Sequence, residues 1–238
     1  MVKLYLIQSI RILILTGMIT FNANASIQIS STRIIYHADE KDVSAEINNP
    51  GKYPVLLQSW IDSGNPDIKP ENIATPFVLT PPLVRVNAGE GQTLRLVLVD
   101  HSISQEMESV YWLNVLEIPP VVDKKRNQIQ VAFRSRIKIF YRPSALDDKG
   151  ARLAGSQLIW RQQGKQILIT NPTPYFVSLV AITFSSGSKK VTVPADMVAP
   201  KTTKSFSLPD APAISTKSKV TVDYINDYGA VTTESIKQ

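Results

Sequence analysis

The sequence predicts an all-β fold built as two sandwich-like halves. Three observations carry this. Nearly every periodic stretch alternates apolar and polar residues with period two. Turn residues interrupt those stretches at short intervals. No segment keeps an amphipathic helical period over three turns.

In chain order, "SIQIS", "RIIYHA" and "DVSAEINN" alternate, and "YPVLLQSWI" is an apolar run suited to a buried sandwich strand. "PFVLTPPLVRV", "QTLRLVLVD" and "VYWLNVLEI" follow. Asn49-Pro50-Gly51, Gly64-Asn65-Pro66, Ala88-Gly89 and Pro119-Pro120 supply the turns between them. "SISQEMES" has room for one helical turn. "SALDDKGARLAGSQ", after Pro143, is small, polar and glycine-containing, and reads as a hinge or linker. Strands resume with "LIWRQQ", "QILITN", "YFVSLVAITF", "KKVTV", "TKSFSL" and "KVTVDYIND".

One strand is too long for this scheme. In "NQIQVAFRSRIKIFYRP", Ile129, Val131, Phe133, Ile137, Ile139 and Tyr141 share one face, and Gln128, Gln130, Arg134, Arg136, Lys138 and Arg142 the other. From Ile129 to Tyr141 the chain would extend about 40 Å at about 3.3 Å per residue. A sandwich of about 100 residues, with a radius of gyration near 13 Å, cannot easily cover that whole face. A row of basic residues is by default a solvated face, and Lys and Arg often guard edge strands. An edge guarded on one face and apolar on the other is suited to pairing with something else.

Composition excludes several functions. The 238 residues carry 43% hydrophobic and 19% charged side chains, a globular balance. The N-terminus reads as a cleaved secretory leader over residues 1–25: Lys3 and Arg11, a short apolar run, then Ala23 and Ala25 at the −3 and −1 positions. That run is well short of the roughly 20 apolar residues of a membrane span. The net charge is +6, of which Lys3 and Arg11 leave with the leader. The remaining excess is modest, and no arginine-rich arm points to nucleic acid. With no cysteine, thiol catalysis and zinc–thiolate sites are excluded, and the core must supply the stability.

No catalytic constellation emerges. His37 and His101 lie far apart without metal-ligand spacing, and read as surface or strand-end residues. No phosphate loop, dinucleotide fingerprint or nucleophile elbow occurs. Ser135 to Lys138 matches S-x-x-K, but in an alternating strand the two side chains point to opposite faces. Asp147-Asp148 reads as a solvated turn. Arg33 shares its phase with Ile27, Ile29 and Ile35. Burying an unpaired guanidinium costs several kcal/mol, so two readings stand: Arg33 snorkels at a strand end, or it waits at a cleft for an anion.

Six blocks in order resemble the PapD-like periplasmic chaperones of chaperone–usher pilus (fimbrial) assembly: "TRIIY", "TPPLVRVNAGEGQTLRL", "YWLNVLEIPP", "RIKIFYRP", "NPTPYFVSL" and "YINDYGA". The resemblance implies two immunoglobulin-like β-sandwich domains set at an angle with a cleft between them. The N-terminal domain would cover residues 26–146 and carry the donor strand; the C-terminal domain would cover 147–238. It implies no enzyme activity, no cofactor and no ATP. Its partners would be pilus subunits, including the tip adhesin, and an outer-membrane usher, with room for a self-capping dimer when free.

Carried over by position, Arg33 and Lys138 resemble the pair that holds the C-terminal carboxylate of a pilus subunit. Ile129, Val131 and Phe133 resemble the donor-strand residues that enter the subunit's open core. Glu117, Arg142 and Asp227 match an interdomain ion-pair network, and Thr80-Pro81 a cis-peptide position. The short connection over residues 121–128 is similar to the short-loop branch. "SQEMES", residues 104–109, departs from the family's P-x-D-R-E-S stretch. The alternative, a pilus subunit or surface adhesin, fits less well: its spare strand would lie at the N-terminus, whereas here it is internal.

Overall fold

The computed structural model describes residues 27–120, 131–208 and 218–238. The expected leader, the 121–128 connection and Ile129 lie outside the described residues.

The first sandwich packs two sheets. Strands β1 (Gln28–Ile29), β3 (Val43–Asn48), β7 (Gly91–Leu98) and β5 (Phe77–Thr80) form one sheet in the order β1-β3-β7-β5. Strands β2 (Arg33–His37), β9 (Phe133–Arg142), β8 (Ser109–Ile118), β4 (Val55–Asp62) and β6 (Leu83–Val86) form the other in the order β2-β9-β8-β4-β6. Ile34, Tyr36, Ile47, Leu57, Leu94, Leu113 and Ile139 fill the space between them. Tyr36 sits edge-on to Phe77 at 5.3 Å, and its hydroxyl accepts a hydrogen bond from Leu98 N.

The second sandwich packs β10 (Ile159–Gln163), β11 (Gln166–Thr170) and β14 (Thr203–Ser207) against a sheet in the order β13-β12-β15-β16. Those strands are β12 (Ser178–Ser186), β13 (Lys189–Pro194), β15 (Lys219–Ile225) and β16 (Val231–Ile236). Trp160 meets Phe184 edge-on at 5.6 Å in the core.

Four expectations are corrected. The stretch after Pro143 holds helix α1 (Asp148–Ala154), whose first turn is capped by the Asp147 side chain accepting from Gly150 N. A polar, glycine-bearing segment looks like linker until the cap and the packing of Ala154 into the second core are seen. "SISQEMES" forms bends and no helix; Ser104 Oγ accepts from Met107 N instead. "PFVLTPPLVRV" is two strands on different sheets, separated at the cis Thr80-Pro81 bond.

The fourth concerns Arg33. The chain leaves one sheet after Ile29 and enters the other at Arg33, so the phase of β1 does not carry into β2. Ile34 and Tyr36 face the core, and Arg33 and Ile35 face away from it.

The core supports a direct prediction. Ile139→Ala should lower the unfolding free energy by about 2–5 kcal/mol in urea denaturation, because Ile139 is fully buried. Phe133→Ala, on the same strand face but exposed, should change it by less than about 0.5 kcal/mol.

Candidate functional site: the junction of β2 and β9

The site starts from one register. Strand β2 pairs with β9 in parallel, with Arg33 opposite Lys138 and His37 opposite Arg142. Pairing with β2 therefore covers only the second half of β9. Strand β8 pairs antiparallel along nearly all of it, from Phe133 to Tyr141. Over residues 133–137 the edge of β9 that would face β2 has no strand beside it among the described residues.

The apolar face changes at the same place. Ile139 and Tyr141 are 0% and 1% exposed, whereas Val131 and Phe133 are 53% and 58% exposed. Within the described residues β9 runs from Phe133, with Val131 two residues before it.

The other face of β9 looks toward the second sandwich. Arg33 Nη1 donates to Ile225 O at 2.8 Å, its guanidinium lies 5.6 Å from the Phe140 ring centroid, and its buried Nε has no partner among the described residues. Burial lowers the Arg33 pKa, opposed by the field of Asp227. Burial likewise lowers the Lys138 pKa, with Asp196 opposing and Arg33 and Lys204 adding to the drop. Arg33 lines a cleft with Phe140, Phe176, Tyr224 and Tyr228, and the two desolvated cations stand side by side on neighbouring strands. An anion placed there would relieve both.

Arg142 ends the row and is almost fully buried. It bonds Glu108 (Nε–Oε1, 2.9 Å), Asp148 (Nη1–Oδ1, 2.6 Å) and Asp227 (Nη2–Oδ2, 3.0 Å). Glu108 Oε2 also accepts from Phe176 N in the second sandwich. Burial pulls the Arg142 pKa down, but Glu108 and Asp227 outweigh it and hold the pKa above the ordinary value. Burial raises the Glu108 pKa against the pull of Arg142.

Glu117, expected in this network, is not part of it. It lies opposite Phe133 on β9, about 30 Å along the strand from Arg142, and accepts from Ile27 N. Ser109 lies opposite Tyr141, so the residue preceding Ser109 is the one that meets Arg142. That glutamate, Glu108, is the last but one residue of the "SQEMES" stretch, and only strand register could have distinguished it from Glu117.

Sequence reading also missed Asp148, treated as a solvated turn, and Phe140, which shares the basic phase. Phe140 is buried against Phe176 at 6.0 Å between ring centroids. Among the described residues no three His, Asp or Glu are placed to share a metal ion.

Comparison with known proteins agrees with this architecture. Residues 26–147 match the family described as pili and flagellar-assembly chaperone, PapD N-terminal domain. Residues 153–236 match the pili assembly chaperone PapD C-terminal domain. The chain belongs to the PapD-like pilus-assembly chaperones. This is a family of chaperones, not of enzymes. The PapD-like chain is 37% identical over 217 residues to chaperone protein MrkB of Klebsiella pneumoniae, covering 89% of this chain and 91% of that one. It is 38% identical over 214 residues to the probable fimbrial chaperone YadV of Escherichia coli strain K12, covering 86% and 87%. Its fold matches the crystal structure of the Pseudomonas aeruginosa CupB2 chaperone with a TM-score of 0.73 and 33% identity, over 87% of this chain and 98% of that one.

In this PapD-like chaperone, Arg142→Ala would leave Glu108 buried and unpaired. It should cost about 3–5 kcal/mol in urea denaturation. Asp148→Ala, whose carboxylate is about half exposed, should cost no more than about 1 kcal/mol.

Proposed function

We propose that this chain is a periplasmic chaperone that binds pilus subunits by lending them the first half of β9. It reaches the periplasm by a cleaved leader over residues 1–25. Residues 133–137 offer an open strand edge, and Phe133, Val131 and Ile129 offer apolar side chains to the subunit's incomplete core. Arg33 and Lys138 hold the carboxylate at the end of the pilus subunit. The complex then passes to an outer-membrane usher.

The observation that carries this reading is where the β2 pairing stops. A pilin strand lying along residues 133–137 and ending at the two cations would run in the same direction as β9, as β2 does. The last residue of the pilin would then meet the first residue of β2. Apolar burial and the anchor contribute on the same scale: about 1.5–3 kcal/mol for a fully buried apolar side chain, and about 1.5–3 kcal/mol for a hydrogen bond to a charged group. Neither dominates, so losing either should weaken binding without abolishing it alone.

Arg33→Ala and Lys138→Ala should each weaken binding of a co-expressed pilus subunit by about 2 kcal/mol or more. Phe133→Ser should reduce recovery of the complex while leaving the unfolding midpoint of the free chaperone unchanged. Full recovery with all three replacements would overturn the proposal.

The anchor also predicts a pH dependence. The Lys138 pKa is held below that of an ordinary lysine, and only the protonated amine attracts a carboxylate. Affinity should therefore fall as pH rises through a range below the usual lysine pKa, and Lys138→Arg should remove that fall. Fluorescence anisotropy with a labelled peptide that copies the last residues of a pilin would measure it.

A further inference from the structure

The parallel register has a second consequence on the outer face of the five-stranded sheet. Arg33 lies opposite Lys138, Lys138 opposite Trp112, and Trp112 opposite Asp62. Four strands therefore place these residues in one row, on one face. Arg136 stands one row away, opposite Asn114, in the half of β9 that β2 does not cover.

Arg136 reaches back into that row. Its Nε donates to Asp62 Oδ2 at 3.1 Å and its Nη2 to Asp62 Oδ1 at 2.5 Å, a bidentate pair. Its guanidinium lies 4.8 Å from the Trp112 ring centroid. Asp62 is almost fully buried, and also accepts from Asn114 Nδ2 at 2.7 Å and from Gly64 N at 2.6 Å. Burial alone would raise the Asp62 pKa, but the bonds from Arg136, Asn114 and Gly64 outweigh it and hold the carboxylate below its ordinary range. Gly64 backs the indole closely: a Cβ there would lie 3.1 Å from Trp112. One row further on, Arg134 Nη1 donates to Pro66 O at 2.9 Å.

These contacts answer a mechanical problem. An edge half-strand held by one neighbour is prone to fray, and this one, with only β8 beside it among the described residues, must stay extended with Phe133 exposed. We infer that Asp62, with Trp112, clamps Arg136 and so keeps residues 133–137 of β9 extended and in register for a partner strand. Asp62 and Trp112 are positioning residues that act through Arg136. A preformed edge spares the partner the cost of ordering it. The clamp rests on the strand-donation reading for its purpose, but not for its physical effect on the free chain.

The test uses amide hydrogen exchange on the free mature protein, with wild type, Asp62→Asn and Arg136→Lys. The first keeps the shape of the carboxylate, and the second keeps the charge but loses the fork. Exchange of the amides in residues 133–137 that bond to β8 should quicken by about tenfold or more in both variants. Residues 139–142 and the second sandwich should be unchanged. Recovery of a co-expressed pilin should fall, with Phe133→Ser run in parallel. Unchanged exchange at 133–137, or a uniform rise across the first sandwich, would overturn the clamp. Normal pilin recovery with Phe133→Ser would overturn strand donation instead, and the exchange data would still judge the clamp.

Discussion

The parallel pairing of β2 with β9, with Arg33 opposite Lys138, is the constraint on which the rest of the molecule depends. Two cations one strand apart repel each other, and burial makes each harder to keep charged. The fold tolerates this because Ile225 O accepts from Arg33 and because Asp227 and Asp196 lie within electrostatic reach. The compensation is incomplete, since the Arg33 Nε remains unpartnered among the described residues. A site held in that state favours an anion.

The same register divides β9 into a half that β2 covers and a half that no second strand covers among the described residues. Beyond Lys138, β2 supplies the neighbouring strand and the core takes Ile139 and Tyr141. Before it, β8 is the only neighbouring strand among the described residues, and Phe133 faces outward. Toward its C-terminal end β9 joins the sandwiches: Phe140 packs on Phe176, and Arg142 gathers Glu108, Asp148 and Asp227. One strand thus links an open edge, a cationic cleft and the domain junction.

Much of this was legible in the sequence where the signal was periodic. Alternation gave the all-β class and separated Ile137, Ile139 and Tyr141 from Arg134, Arg136 and Lys138, because strand geometry fixes which side chains share a face. What depended on how separate strands meet was not legible. Arg33 shares the phase of Ile27 and Ile29 by count, yet a sheet change between them turns it away from the core. Glu108 and Glu117 are equally plausible partners for Arg142 until the β8–β9 register separates them by most of a strand's length. Asp62 gives no hint in "SWIDSGNP" that it lies under Arg136, more than seventy residues away. Helix α1 is too short for periodicity to reveal.

The most direct measurement of the central claim is a cysteine cross-linking scan, made clean by the absence of native cysteine. Phe133→Cys and Ser135→Cys would each be paired with single cysteines stepped along the last strand of a pilin. Parallel pairing that ends at Arg33 and Lys138 predicts that moving the chaperone cysteine from 133 to 135 moves the best cross-linking position two residues toward the C-terminus of the pilin. A shift in the opposite direction, or cross-linking with no ordered shift, would contradict the account.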